Sequence, residues 1–241
     1  MSDRLQQAIT VLQTRFGSAA PRPAAPSTPA RSSGIPELDE LTGIGGWPIG
    51  RLSLLAGARG SGKRTLAQRS LAAATREGPA VYVDFPGRLD PEFLSRLDAR
   101  LDRLFIVRPK SVGEAMASVR VLARSGVDFI VIDLAKDAAS RLDAELPHLL
   151  HRIAEAECTV LMVDTPSPTL PRIRGREMAV AVETDPAIRY YASLIVDLRR
   201  SAWVFGADGD LHGLQIDATV VKNRLAPPGR RAGWVIPYPI P

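Results

Sequence analysis

The sequence predicts an α/β fold in which a mostly parallel β-sheet is flanked by helices and finishes in an antiparallel meander. Between residues 51 and 164, short apolar runs alternate with helical segments, which is typical of parallel sheets buried on both faces. After residue 192, strand-like segments follow one another without intervening helices. Turn-forming residues 207–210 separate two of these segments, as a hairpin requires.

Apolar runs and helix-capping residues predict the individual strands and helices. The predicted parallel strands are residues 52–56, 80–84, 104–107, 129–133 and 159–164. The predicted helices are residues 63–75, 91–101, 111–124 and 141–155. The predicted later strands are residues 192–198, 202–205, 214–221 and 233–238. Asp90 before Pro91 is a typical N-cap and first helical residue, and Ser111 with Glu114 has the spacing of a capping box.

The first 32 residues predict an appendage to a core domain of residues 33–241. Residues 1–17 predict an amphipathic helix, and a step of three or four residues separates the members of its apolar stripe. The stripe consists of Leu5, Ile9, Leu12 and Phe16. Residues 18–32 are rich in proline and alanine and predict an extended linker. Because so short a helix is marginal alone, we expect it to pack on the core or on another molecule.

Charge and composition narrow the class of protein. The formal net charge is +5, which favours an anionic partner such as nucleic acid, although a merely soluble, mildly basic surface is the alternative. Cys158 is the one cysteine, so no intrachain disulfide is possible, and the sequence suits the reducing cytoplasm. The apolar residues that follow Cys158 predict that it lies in the core. The apolar runs are too short for a membrane helix. The scattered histidines predict no metal-ligand cluster.

A glycine-rich segment between a predicted strand and a predicted helix indicates a phosphate-binding loop. Gly57, Gly60, Gly62 and Lys63 belong to a Gly-x-x-x-x-Gly-Lys pattern. Glycines let backbone N–H groups curl around phosphate oxygens, and the helix N-terminus adds partial positive charge. Lys63 is expected to reach the β- and γ-phosphates.

The next residue departs from the pattern. A serine or threonine there ligates Mg²⁺, and the sequence has Arg64. Thr65 follows, but a helix turns about 100° per residue, so its hydroxyl faces elsewhere. Asp133, at the end of an apolar run, is the candidate Walker B carboxylate. Arg64 then clamps phosphate in place of the metal, fills an empty pocket, or points to solvent beside a slow loop. We expect ATP to bind weakly if at all, and assign no catalytic residue.

The chain resembles bacterial RecA over most of its length. The similar segments are residues 5–17, 33–39, 45–51, 89–91, 123–128, 190–193, 197–200 and 220–224. The last three are the most specific, and the resemblance implies a RecA-like P-loop core. In that register, Pro86 stands where RecA has the glutamate that activates water, and Thr165 where it has a glutamine that senses the γ-phosphate. Leu134 replaces a serine.

The resemblance also bears on partners. RecA's first DNA-binding loop has no counterpart between Asp133 and Cys158, and the second loop region carries an alternating run of arginines. These are Arg172, Arg174 and Arg176. In extended chain they project to one side and suit DNA phosphates, although a solvated loop is the alternative. Lys222 and Arg224 match RecA residues that reach a neighbouring subunit's ATP. They could instead contact DNA or simply flank a strand.

The departures favour a catalytically weak accessory protein over a motor. Short RecA paralogues of the ImuA type have this profile, and this resemblance implies a role in error-prone translesion synthesis during the SOS response. The expected partners are single-stranded DNA, RecA, an inactive Y-family polymerase homologue and an error-prone polymerase, in a nucleoid-associated cytoplasmic setting. Two alternatives remain open. The chain could be an active DNA-dependent ATPase with a rearranged site, or a scaffold that caps RecA filaments through its first helix.

Overall fold

One eight-stranded sheet forms the centre of the molecule in the computed structural model, which describes residues 3–16, 29–134, 142, 144–164 and 185–238. The strands are β1 (Ala30–Arg31), β2 (Trp47–Pro48), β3 (Leu52–Gly57), β4 (Ala80–Asp84), β5 (Leu104–Val107), β6 (Phe129–Asp133), β7 (Thr159–Val163), β8 (Leu194–Phe205), β9 (Leu211–Asn223) and β10 (Arg231–Pro237). The helices are α1 (Asp3–Phe16), α2 (Pro36–Thr42), α3 (Lys63–Glu77), α4 (Pro91–Arg96), α5 (Val112–Arg124), α6 (Leu146–Glu155) and α7 (Pro186–Tyr191). A short 3-10 helix covers Leu101–Arg103.

The large sheet has the strand order β5-β4-β6-β7-β3-β8-β9-β10. Strands β5 to β8 in this order are parallel, whereas β9 is antiparallel to β8 and β10 is antiparallel to β9. The predicted fold class, a mostly parallel sheet that finishes in an antiparallel meander, is therefore confirmed. In the registers of β4, β6 and β7, Asp84 lies beside Asp133, and Asp133 lies beside Val163, so the carboxyl ends of these strands are level.

Alternate residues of the parallel strands enter two different core layers. On β6, Phe129 and Val131 pack in the layer that contains α3, while Ile130 and Ile132 pack in the layer that contains α5 and α6. Every residue of β6 is buried as a result. Burial on both faces is the physical reason that these strands were recognisable as continuous apolar runs.

Several element boundaries differ from the prediction. The two predicted strands 192–198 and 202–205 are a single strand, β8, whose register shifts between Arg200 and Ala202. Helix α4 ends at Arg96 rather than at residue 101, since Asp98 adopts a left-handed φ of 57° that no helix continues through. The N-cap bonds were predicted correctly: Asp90 accepts from Glu92 N–H, and Ser111 accepts from Glu114 N–H. Helices α2 and α7 were not predicted.

The N-terminal helix lies outside both core layers. α1 covers Asp3–Phe16 within the predicted segment 1–17, and none of its described residues is buried. Leu5 and Phe16, from the predicted apolar stripe, are each 51% exposed, and Ile9 and Leu12 are partly exposed. None of the described helices combines the length and apolar character that crossing a membrane requires.

The packed part of the chain begins before the predicted boundary at residue 33. Ala30 and Arg31 form strand β1, which pairs with β2. The Arg31 guanidinium forms an ion pair with Glu77 and lies 3.6 Å from a carboxylate oxygen of Asp128. These two carboxylates fix a segment that its proline and alanine content had assigned to the linker.

Candidate nucleotide site

The loop between β3 and α3 has the backbone of a phosphate-binding loop. Gly62 is the N-cap of α3 with a φ of 83°, and a Cβ there would lie 2.6 Å from Ile236 Cδ1 on β10. Gly57 has a φ of 152°, and a Cβ there would lie 2.5 Å from the Leu198 carbonyl oxygen on β8. Gly60 also has a positive φ, of 76°. Strands β8 and β10 therefore lie so close behind the loop that only glycine fits at positions 57 and 62.

Lys63 is the first residue of α3 and is only 4% exposed. Its Nζ donates a hydrogen bond of 3.0 Å to the carbonyl oxygen of Ala58, within the same loop. Burial and then the neighbouring Arg64 lower the pKa of Lys63 to about 8, although Asp133 and Asp164 oppose the shift. The ammonium is thus a poorly solvated cation at a helix N-terminus, a position that favours an anionic ligand.

Arg64 is bonded to the Walker B carboxylate. Its Nε donates to Asp133 Oδ2 over 2.6 Å, and the Tyr82 hydroxyl donates to the same oxygen over 3.1 Å. Asp133 is 1% exposed, while about a third of the Arg64 side chain (32%) is exposed. Of the three alternatives for Arg64, the one that turns it to solvent does not describe this geometry. Thr65, the next residue of α3, is partly buried, and the bonds to Asp133 come from Arg64 and Tyr82.

The three groups perturb one another. Burial raises the pKa of Asp133, and the bonds from Arg64 and Tyr82 oppose this shift. Burial lowers the pKa of Arg64, but the hydrogen bond to Asp133 and the charge of Asp133, with smaller contributions from Tyr82 and Asp84, together raise it, so the guanidinium stays charged. Burial also raises the pKa of Tyr82, and the adjacent carboxylate of Asp133 raises it further, so the phenol remains a donor.

These residues do not fit a Mg²⁺ ion held in the usual manner of a P-loop. The hydroxyl ligand is replaced by a guanidinium, and Oδ2 of Asp133 already accepts two hydrogen bonds. Oδ1 of Asp133 is buried without a hydrogen-bond partner among the described residues, but an ion there would face the charges of Lys63 and Arg64. Within the same described part of the chain, no group of three or more His, Cys, Asp or Glu side chains could hold a metal.

At the neighbouring end of β4, the carboxylate of Asp84 stabilises the turn that follows the strand. Asp84 is 1% exposed, and its two carboxylate oxygens accept from the N–H groups of Arg88 and Leu89, both at 3.0 Å. These bonds fix the turn that contains Pro86, which is partly buried and has no group that could act as a base. Leu134 is buried, and Thr165 lies outside the described residues.

Tyr82 and Asp84 were not identified from the sequence. They stand two residues apart, at the carboxyl end of the buried strand β4, beside Asp133. Polar residues in an otherwise apolar, doubly buried strand were the signal that could have indicated them. Cys158 is buried as predicted, and burial raises the pKa of its thiol to about 12.

The second pair of predicted site cations lies elsewhere and binds a helix end. Lys222 Nζ donates to the carbonyl oxygens of Arg189 (2.6 Å) and Tyr190 (2.8 Å), and Arg224 donates to that of Tyr190 (2.6 Å). The Arg224 guanidinium also lies 5.9 Å from the centre of the Tyr190 ring. Burial and then Arg224 lower the pKa of Lys222. Both cations thus bind the last turn of α7. The predicted DNA-binding residues Arg172, Arg174 and Arg176 lie outside the described residues.

Known proteins of similar sequence agree with this architecture. Residues 4–148 match the family model described as the RecA N-terminal domain. The chain belongs to the RecA family. RecA of Thermus thermophilus is 31% identical over 250 residues, which cover 95% of this chain and 74% of that protein. RecA of Clostridium perfringens (strain 13) is 29% identical over 261 residues, which cover 97% and 72%.

A solved structure shows the same fold. The crystal structure of the RadB recombinase aligns with a TM-score of 0.67 and 22% sequence identity, over 85% of this chain and 95% of that chain. At that identity the likeness bears on the fold, and it agrees with the mostly parallel sheet with an antiparallel end. The expected RecA membership is confirmed by the family match, whereas the narrower resemblance to ImuA-type paralogues stays a prediction.

Proposed function

We propose that this RecA-family protein is a DNA-repair accessory factor that turns ATP over weakly or not at all and acts through contacts with DNA and other proteins. The observation that carries this proposal is the bond between Arg64 and Asp133, which occupies both positions that hold Mg²⁺ in an active P-loop ATPase. Pro86, at the position that resemblance assigns to the catalytic base, supports the same conclusion.

The finer role that we propose is support of error-prone translesion synthesis in the SOS response, as for ImuA-type paralogues. The partners would be single-stranded DNA, RecA, an inactive Y-family polymerase homologue and an error-prone polymerase, near the nucleoid in the cytoplasm. The net charge of +5 suits DNA, and Arg172, Arg174 and Arg176 are the proposed phosphate contacts. Replacing these three arginines by alanine should weaken single-stranded DNA binding and flatten its dependence on salt.

The deciding experiment is an ATP hydrolysis assay with and without single-stranded DNA, beside a RecA control. We expect a rate near the uncatalysed background under both conditions. A DNA-stimulated rate like that of RecA would overturn the proposal. It would favour the second candidate, an active DNA-dependent ATPase with a rearranged site. The intact glycine loop and Lys63 are the observations that support this candidate.

Helix α1 is the proposed docking element for RecA or a polymerase subunit. Its apolar stripe has no buried residue, and an exposed apolar stripe on a helix is a common anchor in a partner's groove. Leu5→Asp with Phe16→Asp should abolish capture by purified RecA, and Gln7→Asp, on the same helix but outside the stripe, should leave it unchanged. Equal capture by all three proteins would remove α1 from the proposal.

A further inference from the structure

The first turn of α3 concentrates positive charge where the helix end is already positive. Lys63 and Arg64 are its first two residues, and the peptide dipoles add partial positive charge at the same end. Arg64 and Arg59 lower the pKa of Lys63, and the carboxylates of Asp133 and Asp164 raise it, so three cations, Lys63 included, stand beside two carboxylates. The excess of positive charge beside a glycine loop whose residues 58–60 are exposed favours an anionic ligand.

The Arg64 guanidinium is held in place and still has donors to offer. Its Nε is bonded to Asp133, while its two terminal amino groups make no hydrogen bond among the described residues. About a third of the side chain remains exposed, next to the loop that ends at Lys63. A guanidinium presents its N–H groups in a rigid plane that matches phosphate oxygens, so the fixed side chain is already oriented for a phosphate.

We propose that the loop formed by residues 57–63 binds the phosphates of a nucleoside triphosphate without a divalent cation, and that Arg64 supplies the positive charge that Mg²⁺ supplies in active P-loop proteins. This inference rests on the proposed loss of turnover, because it assigns the retained loop to binding alone. Lys63 would exchange its bond to the Ala58 carbonyl for a phosphate oxygen. Asp133 would hold Arg64 and take no part in metal binding.

The test is a calorimetric titration of ATP into the full chain, once with excess EDTA and once with excess Mg²⁺. We expect the dissociation constant in EDTA to be equal to that in Mg²⁺ within about twofold, or smaller, since free ATP carries more negative charge for Arg64 to bind. Binding that is at least about tenfold tighter in Mg²⁺ would overturn the inference. Absence of binding in both titrations would also overturn it, yet would leave the accessory role intact. RecA-like hydrolysis would overturn the accessory role itself.

A matched pair of variants isolates Arg64. Arg64→Thr restores a hydroxyl at the metal position, so ATP affinity in EDTA should fall at least about tenfold and recover in part with Mg²⁺. Arg76→Thr makes the same change of charge at an exposed site about 18 Å further along α3 and should leave affinity unchanged. Arg64→Thr binding ATP in EDTA as tightly as the unmodified chain would contradict the assignment. If Arg64→Thr does not fold, the two titrations of the unmodified chain decide.

Discussion

Two pairs of cations in this protein lie at opposite kinds of helix end. Lys63 and Arg64 occupy the first turn of α3, whereas Lys222 and Arg224 donate to the last carbonyl groups of α7. The N-terminus of a helix carries partial positive charge and the C-terminus partial negative charge. The first pair is therefore placed against the local electrostatics of the fold, and the second pair is placed with them.

The difference separates a binding role from a structural one. Lys63 is almost fully buried and its pKa is lowered mainly by burial, so the fold holds its charged form at a cost that an anionic ligand would offset. Lys63 also donates to a carbonyl oxygen, that of Ala58, but it does so at a helix N-terminus. Lys222 and Arg224 donate to carbonyl oxygens at a helix C-terminus, where the partial negative charge favours them. We infer that substitutions in the first pair change ligand binding, with a loss of stability as well at Arg64, and that substitutions in the second pair change stability alone.

Lys63→Ala is the change with the largest expected effect on this comparison. Loss of a charge-assisted hydrogen bond to phosphate should weaken ATP binding about a hundredfold by calorimetry. The free energy of unfolding in urea should stay the same or rise slightly, because a poorly solvated charge is removed. Lys110→Ala, at an exposed lysine, should change neither quantity. ATP binding unaffected by Lys63→Ala would show that the loop holds no nucleotide.

Arg64→Ala tests how much the ion pair between Arg64 and Asp133 contributes to stability. Asp133 would be left buried with Tyr82 as its remaining donor, so the free energy of unfolding should fall by about 2 kcal/mol. Arg64→Ala combined with Asp133→Asn should recover most of this loss, because no buried charge is then left unpaired. Urea unfolding of both proteins measures the difference. Equal stability of Arg64→Ala and the unmodified chain would mean that the ion pair does not form in solution.

The sheet could be predicted because its strands carry their own signal. Strand β6 is buried on both faces, so residues 129–132 form an unbroken apolar run, which ends at the buried Asp133. Helix α7 has only six residues and was missed, since periodicity needs more turns to become visible. The end of α4 depended on the backbone of a single residue, Asp98.

The candidate site was predictable in its residues but not in its contacts. The glycine pattern identified the loop and showed that Arg64 replaces a hydroxyl, yet the bond to Asp133 spans 69 positions of sequence and depends on strand order. The partners of Lys222 were even harder to predict from the sequence. They are backbone carbonyls, which every residue has, so no residue type could indicate them.

The dependence of ATP binding on pH should reveal the perturbed lysine. With a pKa of about 8, Lys63 is charged at pH 7 and mostly neutral at pH 9, and only the charged form attracts phosphate. Affinity measured by calorimetry should therefore fall about tenfold from pH 7 to pH 9. Lys63→Arg, whose side chain stays ionised over this range, should lose that dependence. A flat profile for the unmodified chain would mean that Lys63 does not bind the phosphates.

Lys222→Met has the smallest expected effect and tests the other side of the comparison. It keeps most of the apolar stem but removes two hydrogen bonds to the end of α7, which are partly exposed to solvent. The free energy of unfolding should fall by about 1 kcal/mol, and ATP affinity should be unchanged. Val221→Met, an exposed substitution on the same strand, is the control. Loss of ATP affinity with full stability would reverse the assignment, because Lys222 would then reach a nucleotide, as the resemblance to RecA implies.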